Sequence, residues 1–300
     1  MKLKYSDGRK VFNIHTEGIP CLSFDMLDRL GVPNLFTTRY ESYDEASGTG
    51  VKGLRCAVMK TETVEEASPV CRSNRDILAH QLGSSLEMEL VTDQKHTNYV
   101  HVAVCEEDLG VATVGSFALH RQFVDGIVTD IPDALQTVFG GDCPPVYIVD
   151  PVRRAAGLVH AGWKGTLGRI PQVAIAQMTV KFGCDPADMY AAIGPGVCRD
   201  CYEMGDEVYD AFAARWSHED ADIILTRYPA KDADGNAIPG GKYHLDLREA
   251  NRLTLLRAGI PEDHIAISNV CTMCNVDTFY SYRGHALENE QVAMMVNRFG

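Results

Sequence analysis

Cysteine and histidine do the widest range of chemistry, and in this 300-residue chain one stretch is framed by a single residue of each. Residues 140–165 read GGDCPPVYIVDPVRRAAGLVHAGWKG. Cys143 precedes the apolar run 146–149, and His160 ends a second apolar run, 155–159. Between the runs, Asp150-Pro151-Val152-Arg153-Arg154 has turn composition. Both runs are apolar throughout rather than alternating, the pattern of strands covered on both faces. As an antiparallel hairpin centred on that turn, they place Cys143 opposite His160 at one rim of a buried sheet. Thiolate and imidazole are the ligand types zinc prefers. They are also the nucleophile and base of a cysteine hydrolase. Taken as a lone pair, they equally suit a buried thiol beside a hydrogen-bonded histidine.

The residues after His160 favour a site. Ala161-Gly162-Trp163-Lys164-Gly165-Thr166 leads into a helix expected over residues 167–182, with Ile170, Val173, Ala174 and Met178 apolar. A helix start with glycines and a basic side chain attracts anions, so Gly162, Lys164 and Thr166 are candidate phosphate contacts. The plain alternative is a strand-to-helix turn capped by Thr166. His96 falls in a loop between expected strands 87–91 and 99–104, where functional side chains are often carried. His101, inside the second strand, reads as a structural histidine.

Two further motifs carry less weight. Cys198-Arg-Asp-Cys201 and Cys271-Thr-Met-Cys274 could supply four thiolates to one zinc. The 70 residues from Cys201 to Cys271 far exceed zinc-ribbon spacing, so buried thiols are the expectation. Asp232-Ala233-Asp234-Gly235-Asn236 begins like a calcium loop, but Ala237 and Tyr243 stand where that loop needs glycine and glutamate.

The composition is that of a soluble globular protein, with 45% hydrophobic and 23% charged residues. The net charge of −13 argues against non-specific binding to nucleic acid or anionic membrane. No apolar run is long enough to span a bilayer, and the N-terminal MKLKYSDGRKVFN lacks a signal-peptide core, so a cytoplasmic protein is expected. The ten cysteines are scattered rather than arranged as a disulfide framework, which fits thiols or ligands in a reducing compartment.

The elements that must position these residues can be read from periodicity and breakers. Residues 2–14 read as a hairpin around Asp7-Gly8, and 24–30 as a short helix stopped by Gly31-Val32-Pro33. A strand over 35–39 ends in Arg39, and the Gly-, Ser- and acid-rich segment 40–53 reads as a mobile loop. Helices are expected over 74–82, 117–123, 206–217, 246–258 and 291–299. Strands are expected over 126–129, 189–193, 265–270 and 279–282, with a polar loop over 228–242. No linker or repeat divides the chain. The reading is a single α+β domain over residues 1–300, with central sheets and flanking helices, in which residues 1–34 are a less certain N-terminal extension.

Several segments, in order, resemble one known family. They are Leu35-Phe36-Thr37-Thr38-Arg39, Asn74-Arg75, Asp93-Gln94-Lys95-His96 and Gly141-Asp142-Cys143-Pro144-Pro145. Next come His160-Ala161-Gly162-Trp163-Lys164-Gly165, Ile193-Gly194-Pro195 and Cys201-Tyr202-Glu203-Met204-Gly205. The last are Leu245-Asp246-Leu247, Cys271-Thr272 and Tyr280-Ser281-Tyr282-Arg283. The chain resembles the laccase-domain (YfiH-type) family. Its members, formerly called polyphenol oxidases, are described as purine nucleoside phosphorylases with adenosine deaminase activity. The resemblance implies mixed and antiparallel sheets in sandwich layers, and a metal triad that maps onto His96, Cys143 and His160. Two positions depart from the family pattern. Thr97 replaces a usual glycine and is expected to narrow the site. Glu288-Asn289-Glu290-Gln291 stands where a Gly-Arg pair is usual, removing a possible anion contact.

The resulting expectation is a purine nucleoside enzyme with catalytic zinc on His96, Cys143 and His160, copper being less favoured. Zinc would activate water for attack at C6 of adenine with release of ammonia. Phosphorolysis would add a phosphate held by Gly162, Lys164 and Thr166, with Arg39, Arg75 and Arg283 as further candidates. Asp142 is the nearest acid–base candidate, or it orients a ligand imidazole. The competing readings are a Cys143/His160 hydrolase, a copper phenol oxidase and a zinc-stabilised scaffold built on the CxxC pairs. The triad lacks the His-x-His clusters that several coppers would need.

Overall fold

The apolar runs in the middle of the chain become strands with both faces covered. The computed structural model describes residues 1–57, 64–110, 123–231, 236–238 and 240–300. Two six-stranded sheets dominate. The first runs in the order Phe12–His15, Cys21–Phe24, Asn34–Thr37, Gln291–Val296, Leu135–Gly140, Glu89–Val91. The second runs Ile265–Ile267, Tyr190–Ile193, Pro145–Asp150, Ala155–His160, Gly126–Thr129, Val100–Ala103. Most neighbours are antiparallel, with parallel pairs only at the sheet edges.

Side-chain alternation explains the layering. Leu22, Phe24, Phe36, Val138, Ala293 and Met295 of the first sheet pack on Tyr147, Val149, Ala156, Leu158 and Ala192 of the second. Tyr147 crosses this apolar layer and donates its hydroxyl to the Leu35 carbonyl at 2.7 Å. Val146, Ile148 and Val159 point the other way, onto Ile170, Ala174 and Met178 of the helix Ile170–Phe182. The outer face of the first sheet, through Leu35, Val292 and Met294, meets Leu78 and Ala79 of the helix Val64–Gln81. The result is a helix–sheet–sheet–helix sandwich. A smaller cluster around Tyr202, Met204, Phe212 and Leu245 flanks one end of it. No helix among the described residues is long and apolar enough to cross a membrane.

Several elements differ from the expectation, each for a local reason. Residues 291–299, read as a helix, form the central strand Gln291–Val296, buried at every position. A short apolar run has no period that separates helix from strand. Segment 40–53 is a hairpin, Tyr40–Asp44 with Thr49–Lys52, turned at Gly48 with φ 69°. Its polar, exposed strands have loop composition. The N-terminal ladder joins Phe12–His15 to Cys21–Phe24, so residues 2–14 are not a hairpin and residues 12–24 are built into the first sheet. The 279–282 segment is a turn with one bridge, Ser281 to Ala286. The helix expected over 167–182 is broken at Gly168-Arg169, where Arg169 has φ 55°, into Trp163–Leu167 and Ile170–Phe182. The strand Leu135–Gly140 was not foreseen. Residues 117–122 and, in the calcium-like loop, residues 232–235 and 239 lie outside the described residues.

Candidate metal centre

The chain delivers its three candidate ligands where it passes between the sheets. His96 lies between Glu89–Val91 of the first sheet and Val100–Ala103 of the second. Cys143 lies between Leu135–Gly140 and Pro145–Asp150, and His160 ends Ala155–His160. The hairpin register differs from the expected one. Asp150 pairs with Ala155, so Pro145 rather than Cys143 stands opposite His160. The backbone turns out of the ladder at Asp142, with φ 94°. The imidazole nitrogens of His96 and His160 and the sulfur of Cys143 all lie within 4.8 Å of one another. Cys143 Sγ is 3.9 Å from His96 Nε2, and the two rings meet edge-on at 4.9 Å. His160 is buried, Cys143 half-buried and His96 exposed, so access is from the His96 side.

One carboxylate organises this end of the molecule. Asp125, fully buried just before Gly126–Thr129, accepts from His160 Nδ1 at 2.9 Å. It also accepts from the backbone N–H of Lys95, His96 and Thr97, at 3.1, 2.9 and 2.8 Å. The Thr97 hydroxyl adds a further bond at 2.8 Å. A buried charge needs such a set of donors. The loop wraps the carboxylate tightly, and His96 takes φ 60° to do so. Fixing His160 Nδ1 on a carboxylate leaves Nε2 for a ligand. Sequence reasoning missed Asp125. Its one signal is an acidic residue wedged between Val124 and the apolar strand Gly126–Thr129. Thr97 turns its hydroxyl to Asp125 and the Phe123 carbonyl, so it braces the loop rather than lining the opening.

The electrostatics agree. Burial alone would raise the Cys143 pKa, but the His160 charge and the hydrogen bonds to His160 and His96 bring it down to about 7. Burial would lower His160, but Cys143 and Asp125 together raise it to about 10. For Asp125, burial acts upward, yet the His160 bond and the loop N–H groups hold it below the ordinary carboxylate value. The pair is poised as thiolate and imidazolium on a fixed carboxylate.

The residues fit a metal ion. Two nitrogens and a thiolate suit zinc, and they suit copper as well. Gly162 closes the back of the cluster. A Cβ there would lie 2.9 Å from His96 Cδ2 and 3.0 Å from Cys143 Sγ. Its φ of −65° suits any residue, so the glycine is demanded by the cluster and not by the backbone.

The remaining candidates separate. Asp142 is buried, and its carboxylate is taken up by partners other than the rings. Its carboxylate accepts from Thr272 Oγ1 at 2.5 Å, Ser281 Oγ at 2.7 Å and Arg283 N at 2.7 Å. The imidazole-orienting contact belongs to Asp125. Arg283 lays its guanidinium 4.8 Å from the centre of the Tyr202 ring. Burial and the nearby Cys143 charge raise the Tyr202 pKa, so this phenol stays neutral beside the cluster. Lys164 is exposed on the first turn after Gly162, with Nζ 5.6 Å from the Trp163 ring centre. Thr166 is buried and bonds inward to the Ala161 carbonyl at 3.1 Å. Arg39 is tied to the Val276 carbonyl at 2.9 Å and to Glu288 at 3.1 Å. Arg75 is buried in an ion pair with Glu89 at 3.3 Å. In the 288–291 stretch, Asn289 accepts from the N–H of Cys56 and Ala57, both at 3.1 Å.

Comparison with known proteins adds an independent line. A family model described as "Multi-copper polyphenol oxidoreductase laccase" matches residues 46–297. Purine nucleoside phosphorylase YlmD of Bacillus subtilis is 34% identical over 212 residues, covering 70% of each chain. Adenosine deaminase RL5, from an unknown prokaryotic organism, is 35% identical over 206 residues, covering 69% of this chain and 73% of its own. The crystal structure of the Bacillus licheniformis hypothetical protein YfiH superposes with a TM-score of 0.77 at 27% identity, covering 94% of this chain and 98% of that one.

Proposed function

The chain belongs to the multi-copper polyphenol oxidoreductase laccase family, and from that premise we propose that it is a zinc-dependent enzyme of purine nucleosides. Its reactions would be phosphorolysis of adenosine- and inosine-type substrates and deamination of adenosine. The names of the two relatives support the substrate class. The single observation that carries the chemistry is the convergence of His96, Cys143 and His160 on one point, with Asp125 bonded to the His160 ring and to the His96 backbone. Three protein ligands leave a coordination position for water or substrate, the mark of a catalytic rather than structural site. When bound, zinc would supply Lewis acidity, lowering the pKa of a water to about 7.

The chain's own residues do the rest. Asp125 fixes the His160 tautomer and the His96 loop. Gly162 lets the backbone pass behind the ligands. Lys164, exposed beside that passage, is our candidate for the phosphate contact. Arg283, held over Tyr202, is a second cation at the rim. A multi-copper array is disfavoured by the ligands themselves. Among the described residues the only other cluster of metal-type side chains is all cysteine.

One observation favours a second reading. Cys143 at about 7 beside His160 at about 10 is also a nucleophile–base pair. One assay separates the two. Zinc-loaded protein is given adenosine and inosine, with and without phosphate, and ammonia, free base and ribose 1-phosphate are measured. Turnover supports the proposal. Inert nucleosides together with a covalent Cys143 adduct from an ester would make the protein a cysteine hydrolase.

A further inference from the structure

The two CxxC pairs, far apart in sequence, meet in space. Cys198, Cys201, Cys271 and Cys274 bring their four sulfurs within 4.8 Å of one another. Cys201 Sγ and Cys274 Sγ are 3.5 Å apart. Four sulfurs placed tetrahedrally at about 2.3 Å from one zinc lie about 3.8 Å from each other. A disulfide needs about 2.05 Å. The cluster thus has the dimensions of a zinc tetrathiolate.

The backbone points the same way. The chain tightens into the 3-10 turns Arg199–Cys201 and Met273–Asn275, which carry Cys201 and Cys274, with Cys198 and Cys271 just ahead of them. The N–H of Cys198 donates to Cys271 Sγ at 3.2 Å, and the N–H of Cys274 donates to the same sulfur at 3.4 Å. N–H donors aimed at a sulfur are the supporting contacts that a metal-ligating cysteine takes. The segments are locked side by side. Gly196 bridges Cys271, and Thr272 N donates to the Gly196 carbonyl at 3.2 Å.

We propose that Cys198, Cys201, Cys271 and Cys274 form a second metal centre, a structural zinc site with four thiolate ligands. It is closed, since all four positions are filled by protein. It staples the two segments that wall the first centre. Thr272, next to Cys271, holds the Asp142 carboxylate beside Cys143. Tyr202, next to Cys201, lies under Arg283. The proposal is independent of which substrate the enzyme takes.

The test uses the full chain carrying Cys143→Ala, which removes a ligand of the first centre. Zinc per chain, reactive thiols and intact mass are measured, and cobalt(II) is substituted for zinc. Cys143→Ala is expected to retain about one zinc that resists mild chelation. Its cobalt form should show intense thiolate-to-metal charge transfer and tetrahedral d–d bands. Adding Cys274→Ser, a change at an exposed ligand, should shift that spectrum toward three sulfurs and speed zinc loss. Because three ligands remain, this variant perturbs the fold less than removing all four would. Three results would overturn the proposal: no zinc in Cys143→Ala with four reactive thiols, a mass showing disulfides among these cysteines, or a cobalt spectrum unmoved by Cys274→Ser. Iron in place of zinc would overturn the zinc assignment.

Discussion

The two clusters use similar ligand atoms in opposite ways. His96, Cys143 and His160 number three and are graded from exposed to buried, and Asp125 holds the His160 ring and the His96 backbone from behind. The four cysteines are tied to one another through N–H···S bonds and paired turns rather than through a carboxylate among the described residues. On the proposals above, three ligands plus an orienting carboxylate would make a reactive centre, and four thiolates would make a clamp. Ligand count and the supporting contacts, more than ligand type, would then separate chemistry from architecture.

The contrast breaks most severely at Asp125. Asp125→Ala would strand the loop N–H groups and free the His160 ring. Metal affinity of the first centre should fall by about 10- to 100-fold or more, with a lower Tm, while zinc on the four cysteines stays. Equal loss from both centres, seen by metal analysis, would mean the clusters are one unit. Gly162→Ala is a finer cut, since its added Cβ meets His96 and Cys143 directly. It should cost about 1–3 kcal/mol of stability by thermal unfolding, with zinc lost from the first centre alone. Full occupancy in that variant would show that the cluster can shift aside.

pH sharpens the comparison further. Metal binding needs Cys143 as thiolate and His160 neutral, and the metal-free values are about 7 and about 10. Between these values one proton leaves per ion bound, so affinity for the first centre should rise about tenfold per pH unit. Below the lower value two protons must leave, and the slope should steepen. Competition with a chelator across this range checks the slope, and a flat profile would contradict the thiolate–imidazolium assignment. The smallest effect is expected at Lys164. If it contacts phosphate, Lys164→Ala should weaken phosphate-dependent base release about ten- to a hundred-fold, by about 1.5–3 kcal/mol. Ammonia release should change much less. Parallel assays on the one variant decide this, and equal losses would assign Lys164 to the nucleoside instead.

Much of this was legible in the sequence. The 146–149 and 155–159 runs announced a hairpin covered on both faces, and the three candidate ligands, named through the family resemblance, do come together. Register was not legible, because a turn of uncertain centre shifts every partner, and here Pro145 took the place expected for Cys143. Asp125 was hidden because nothing in sequence links it to residues 95–97 or 160. The strand Gln291–Val296 was hidden because an apolar run buried on both faces carries no period. The meeting of the two CxxC pairs was hidden for a related reason. Sequence separation limits compact zinc ribbons, but strands that end side by side in a sheet remove that limit.

The central claim is that purine nucleoside chemistry depends on metal at the three-ligand centre. It is tested most directly by measuring zinc content and adenosine turnover together in the wild type and in Cys143→Ala. The account predicts that the variant remains folded, loses about one zinc per chain and loses nearly all turnover. A variant that loses that zinc and still turns over adenosine at the wild-type rate would contradict it.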